Sequence, residues 1–340
     1  MNPIAVFYES TTVYYSSIML VMALVSAFVF GLAVYVSNHK YAFAFWLYAP
    51  AATILSIFVS RAIHWYCNME SYESFRSAIT DYETGYFCIS GVLVGIWLPA
   101  LILQLVRAVK SRFEILDAAV PGIAFVIAIV RFSHIFNEFC RGKMIESDER
   151  FQHLPFSSPV IANDGSVEYR FATFFVSFLV LLAISIVLAV YIRISSISEK
   201  IKTGSGHAFR LFLLLFSAEE VIMDSTRYDA SHLFFSGEQF AEINKGTSFM
   251  GLSQFISALI IVGLFVYYLV SAIKAKIKSR KYPILLSVLL FVVGIGSAGT
   301  CEYLVQRFTG MYRLIYAGQL IGLVMLSAGI ILLYKRKTAK

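Results

Sequence analysis

Leu116-Asp117-Ala118-Ala119-Val120-Pro121-Gly122-Ile123-Ala124-Phe125-Val126-Ile127-Ala128-Ile129-Val130-Arg131-Phe132-Ser133-His134-Ile135-Phe136-Asn137-Glu138-Phe139-Cys140-Arg141-Gly142-Lys143 sets the terms for the whole chain. Its first part is an apolar run suited to a helix crossing a hydrocarbon core of roughly 30 Å. Its last part crowds two arginines, a lysine, a histidine, an asparagine and a glutamate into little more than three helical turns. Charge at the edge of an apolar helix is costly unless it has a task or a partner. Helical spacings of three and four put Arg131, His134 and Glu138 on one face. That face offers a cation for an anionic group, a possible base and an acceptor. A snorkelling interfacial belt would also place Arg and Lys here, and the rest of the chain has to decide between the two readings.

The 340 residues are 59% hydrophobic and only 14% charged, where a soluble domain is about 25% charged. Apolar runs of membrane length recur, so the fold class is an all-α polytopic membrane protein. About nine transmembrane helices are expected, near 14–36, 43–64, 86–106, 114–135, 171–192, 207–223, 250–272, 283–299 and 314–334. The first run is long enough to be a retained helix rather than a removed signal. The natural unit is one membrane domain over 1–340. Most Lys and Arg residues, including Lys274–Lys281 and Lys335–Lys340, fall on one set of alternating loops. The positive-inside rule then places the N-terminus outside and the C-terminus in the cytoplasm. The net charge of +7 therefore signals orientation. No zinc spacing, phosphate-binding glycine loop or basic–aromatic surface supports a nucleic-acid partner, and nothing calls for a metal or other cofactor.

The long polar segments 65–85, 136–170 and 224–249 all fall outside. From Glu146 to Arg170, Pro155, Pro159 and Asn163-Asp164-Gly165 predict a loop or short interfacial pieces, a candidate lid over the membrane face. Cys67, Cys88, Cys140 and Cys301 sit at outer helix ends, as free small apolar side chains or with one pair oxidised to a disulfide. The last third repeats itself weakly. Glu220, Asp224 and Arg227 precede a loop and a helix opened by Gln254; Glu302 and Arg307 precede a shorter loop and a helix opened by Gln319.

Polar groups thus converge on the outer half of the bilayer. They are Ser60-Arg61 through Tyr66 and Asn68 at the end of the second helix, Ser90-Gly91 opening the third, the quoted stretch, Glu220 to Arg227, and Gln254. Arginine suits a lipid phosphate there because its planar fork pairs bidentately.

The order of these motifs resembles the prolipoprotein diacylglyceryl transferase family of seven-helix bacterial membrane enzymes, over nearly the whole chain. Arg61, Tyr66 and Asn68 are similar to the family's second-helix ending, and Ser90-Gly91-Val92 stands where the family opens its third helix with His-Gly-Gly. The family signature Gly-Arg-Leu-Gly-Asn-Phe-Ile-Asn-Gly-Glu, then Gly-Arg, is matched by Arg131, Asn137 and Gly142, with His134 in place of an Asn and Glu138 one place early. Asp224 to Arg227 resembles the family's Glu-Phe-Phe-Arg, while Glu220 stands where an Arg is expected. Gln254 and Gln319 both fit the opening of the family's last helix. On this resemblance, 1–272 is the family-like seven-helix core and 273–340 an extra helix pair, a candidate internal repeat of the pair before it.

The resemblance implies transfer of a diacylglyceryl group from phosphatidylglycerol, or a related anionic lipid, to the cysteine thiol of a lipobox-containing prolipoprotein. It places the protein in the bacterial cell membrane with its site toward the extracytoplasmic side. Arg131 and Arg227 would clamp the phosphate and Asn137 would orient lipid oxygens. Glu138 joins the catalytic set; Arg61, Tyr66, Ser90, Gly91, Gly142, Asp224 and Gln254 would line the lipid site. Ser90 cannot serve as the base of the family's third-helix His. His134 is the histidine near Arg131 with a suitable intrinsic pKa, and His64 is a second candidate. The alternative is a catalytically inactive lipid-binding or transport protein on the same scaffold. A transporter would favour polar breaks at the bilayer midplane, whereas these groups crowd the helix ends. A receptor with extra spans lacks a ligand-pocket signature.

Overall fold

The computed structural model describes residues 4–8, 11–38, 42–67, 72–80, 88–136, 140–145, 152–161, 165–198, 204–227, 251–274, 282–307 and 311–338. Among these, nine long helices stand where nine were expected: α1 (Tyr15–Asn38), α2 (Phe43–Cys67), α4 (Ile89–Leu105), α5 (Arg112–Ser133), α6 (Thr173–Ser198), α7 (His207–Thr226), α8 (Leu252–Lys274), α9 (Tyr282–Arg307) and α10 (Tyr312–Thr338). A short α3 (Phe75–Thr80) follows α2. Seven of the nine are long and apolar enough to cross a membrane. The two others are α4, which the apolar criterion fits but whose 17 residues are few, and α7, which carries Arg210, Glu219, Glu220 and Asp224. The chain is an all-α polytopic membrane protein.

Two antiparallel hairpins extend the expectation. β1 (Ile4–Tyr8) pairs with β2 (Thr11–Tyr14) just before α1. The segment expected as a loop or short pieces contains β3 (Ser157–Ile161) paired with β4 (Val167–Phe171). Residues 140–145 run beside β4, with Gly142 N donating to Phe171 O at 2.7 Å and Ile145 N to Tyr169 O at 2.9 Å. Asn163 and Asp164 of the expected turn lie outside the described residues; Gly165 has φ +81°, which glycine adopts without steric cost.

The chain divides into two compact units, Met1–Phe212 and Leu213–Lys340, with the boundary inside α7. In the first, small residues let helix backbones approach, as they do where no hydrophobic force drives helices together in lipid. Gly91 and Gly95, four apart on α4, face Ser60 and Ser56 of α2 so closely that a Cβ at either would collide with α2 backbone atoms. Tyr48 Oη donates to Ile96 O across the same contact (3.1 Å). Gly122 of α5 lies against Ala27 of α1, where a Cβ would come within 2.9 Å of Ala27 Cβ. Gly91→Leu should therefore separate α2 from α4 at a cost of about 1–3 kcal/mol, read as a lower thermal midpoint in detergent; an unchanged midpoint would disprove the contact.

Asp117 joins α5 to the start of α7 within the first unit. Its two carboxylate oxygens accept from Gly206 N (2.8 Å) and Phe209 N (2.9 Å), amides that a helix start leaves without intrahelical partners. The cap comes from a distant helix rather than the local Ser205. The turn before α7 passes through Gly204 and Gly206, at φ +87° and +78°. Asp117→Ala should lower stability by about 1–3 kcal/mol, because it strands buried donors. Amide exchange at the start of α7 would rise more than elsewhere; uniform change would refute a local cap.

In the second unit, α9 packs along α10 through Gly294, Gly322 and Gly329, each meeting backbone of the facing helix. The core here joins Phe265 and Tyr268 of α8 to Phe291 of α9 and Leu323, Leu326 and Ile330 of α10. The Phe265 and Phe291 rings stack at 3.7 Å between centroids.

Candidate functional site

The alternating course of the helices collects polar residues at one end of the first unit. α2 and α5 run toward that end; α4 and α6 start from it. Three contacts mark its level. Cys88 N donates to Ser60 O (3.4 Å), Phe174 N to Cys140 O (3.1 Å), and Tyr15 stacks on Phe136 with 5.4 Å between ring centroids.

Arg61, Arg131 and Arg141 are only 1%, 7% and 6% exposed. Three guanidiniums held inside the protein at one end of a helical unit concentrate positive charge where an anion would be attracted. Arg131 is in the last turn of α5, and its Nη1 donates to Cys140 Sγ at 3.2 Å. Arg141 stacks its guanidinium 4.2 Å over the Phe174 ring, a geometry that stabilises a cation without neutralising it. Gly142 is obligatory for shape: a Cβ there would lie 2.7 Å from Phe171 Cβ and 2.8 Å from Thr173 Oγ1.

α5 ends at Ser133, and a 3-10 turn carries His134–Phe136. His134 is the C-cap, its amide donating to Arg131 O and Phe132 O; its side chain is half-buried. The α-helical spacing that placed Arg131, His134 and Glu138 on one face thus stops short of Glu138. Asn137 and Glu138 themselves lie outside the described residues, as does Asn68. Ser90 and Gly91 are buried in the first turn of α4, Gly91 against the α2 backbone. Tyr66 is largely exposed. His64 faces Tyr72, with its Nε2 3.1 Å from the phenol oxygen.

The remaining expected site residues lie in the second unit. Arg227 Nη1 sits 3.4 Å from Oδ1 of the buried Asp224. Gly251, where α8 begins, is so close to Asp224 that a Cβ would collide with the carboxylate. Gln254 Nε2 donates to Val221 O (3.1 Å) and to Glu302 Oε2 (2.8 Å). Gln319 Nε2 donates to that same oxygen (2.9 Å). The two glutamines of the sequence repeat therefore meet on one acid, which is itself buried. The Arg307 side chain lies outside the described residues.

Three positions escaped the sequence. Cys140 carried no signal beyond its place among the cysteines; it, Cys88 and Cys301 are in the thiol form, outside any disulfide, and the Cys67 side chain lies outside the described residues. Asp117 was an acid inside an apolar run, a signal in plain view. Glu302 was read with Arg307, and its two glutamine partners come from positions 48 and 17 residues away. Among the described residues, no group of three or more His, Cys, Asp or Glu side chains is gathered to hold a metal ion.

Comparison with known proteins adds one match: the family model described as prolipoprotein diacylglyceryl transferase fits residues 3–295. The match covers the first seven long helices and more than half of α9. No curated protein matches the chain.

Proposed function

Because the chain belongs to the prolipoprotein diacylglyceryl transferase family, whose members are membrane transferases, we propose that it moves a diacylglyceryl group from phosphatidylglycerol to a lipobox cysteine thiol. The observation that carries this reading is the burial of Arg61, Arg131 and Arg141 at one end of the first unit. A phosphodiester is the lipid group that matches such a site, since guanidinium forks pair with phosphate oxygens.

In the reaction, the substrate thiolate attacks the diacylglyceryl carbon bonded to the phosphate oxygen. The carbon–oxygen bond breaks as the carbon–sulfur bond forms, and glycerol phosphate leaves with the electron pair. The thiol proton passes to a base and then to the departing phosphate, so atoms and charge balance. His134, on the turn that follows Arg131, is our candidate base, and Arg131 holds the negative charge that grows on the leaving group. Arg61, Tyr66 and Ser90 line the lipid site in this reading. We place the protein in the bacterial cell membrane with this end outward. The α7–α8 and α9–α10 pairs are read as a duplication, because each joins a helix ending in an acid and an arginine to a helix opened by a glutamine.

The test is a transfer assay with full-length protein in nanodiscs. Labelled phosphatidylglycerol and a peptide bearing a lipobox cysteine should give labelled thioether peptide and glycerol phosphate in equal amounts. Tight phosphatidylglycerol binding without thioether would replace the reading with a non-catalytic lipid-binding protein.

A further inference from the structure

Cys140 has φ +55°, in the left-handed region that L-residues avoid and glycine enters freely. The backbone leaves it little choice. Cys140 O accepts from Phe174 N (3.1 Å), and two residues on Gly142 N donates to Phe171 O (2.7 Å). The segment is thereby tied to the end of β4 and the start of α6. At Gly165, Gly204 and Gly206 the chain meets the same backbone demand with glycine, and at Arg107 (φ +60°) with an exposed side chain. At 140 it keeps a buried side chain whose Sγ receives the Arg131 Nη1–H at 3.2 Å. A strained conformation retained beside a candidate site points to a task for its side chain.

We propose that Cys140 is a positioning residue for Arg131: its sulfur accepts one guanidinium N–H and so fixes the plane in which the guanidinium meets the lipid phosphate. This rests on the transferase reading of Arg131. Cys140 touches no reacting atom and forms no bond to substrate. Sulfur is a weak acceptor, so it orients the guanidinium without competing strongly with a phosphate for it. The backbone position of Cys140, fixed by the α6 and β4 contacts, is what gives the orientation its precision.

The experiment compares wild type with Cys140→Ser, Cys140→Ala, Cys140→Gly and Arg131→Ala in nanodiscs. Two readouts are taken: transfer kinetics, and binding of phosphatidylglycerol over diacylglycerol, which lacks the phosphate, by native mass spectrometry. Cys140→Ala and Cys140→Gly should each weaken phosphatidylglycerol preference about tenfold and raise KM alike. Cys140→Ser, which keeps an acceptor, should stay within about threefold of wild type. Cys140→Gly also relieves the backbone, so its thermal midpoint should equal or exceed that of wild type even as its binding falls. A purely structural role would move binding and midpoint together. If Cys140→Ala and Cys140→Gly bind and turn over like wild type while Arg131→Ala fails, the positioning role is wrong and the transferase reading stands. If wild type makes no thioether, the transferase reading fails. The binding arm then still decides whether Cys140 governs Arg131, because unchanged lipid preference in Cys140→Gly would overturn it.

Discussion

Arg131→Ala should lower diacylglyceryl transfer by about 10²–10³-fold, the usual cost of deleting a preorganised donor to charge that grows in the transition state. The side chain is buried in the last turn of α5, so truncation also leaves a cavity, and a fall in activity alone would be ambiguous. Arg131→Lys separates the two effects. It keeps the charge and most of the volume but loses the planar fork that pairs bidentately with phosphate. We expect Arg131→Lys to fold with a near-normal midpoint yet retain only a few per cent of the transfer rate. A lysine variant with full activity would show that charge suffices and that the fork geometry is irrelevant. Loss of transfer in strict proportion to loss of folded protein would remove Arg131 from the chemistry.

Glu302→Ala should be the most destabilising single change in the second unit. The carboxylate oxygen accepts from the amides of both Gln254 and Gln319, and all three side chains are buried. Truncation strands two buried N–H donors, each worth about 1–3 kcal/mol when left unsatisfied. Removing a buried charge gives back part of that, so the net fall should be smaller than the sum. Glu302→Gln keeps one oxygen acceptor and should cost clearly less. The readout is the rate at which Cys301 becomes reactive on heating, in a variant with the other cysteines replaced. Cys301 is next to Glu302 and packs against Gly318 of α10, so it reports opening of α9 from α10. Equal midpoints for Glu302→Ala and wild type would mean that the two amides find other acceptors and that the carboxylate is not their anchor.

What was legible in the sequence was the part governed by local composition. Nine apolar runs became nine long helices because a run of about 20 apolar residues has few alternatives to a membrane helix. The helices that fit least well, α4 and α7, are the shortest of the nine and the one richest in charge for its length. The hairpins were harder. β3–β4 was signalled by Asn163-Asp164-Gly165 between Ser-Ser-Pro-Val-Ile and Val-Glu-Tyr-Arg-Phe, but its prolines argued for a loop. Pro159 lies inside β3, where the two-stranded pairing leaves one edge without a ladder to break. Arg61, Arg131 and Gly142 were chosen for their residue types, and all three are buried. Cys140, Asp117 and the Glu302 junction depend on which helices become neighbours, and no local period carries that information.

The Asp117 cap has a consequence for biosynthesis. Its two amide partners belong to Gly206 and Phe209, 89 and 92 residues further along the chain. On a ribosome, α5 is therefore complete well before those amides exist. Until they arrive, the carboxylate must keep water or lipid headgroups as its company, which holds the first turn of α5 at the membrane edge. The arrival of α7 is what releases it from that boundary, so the closing of this contact dates the moment when the first five long helices receive the sixth.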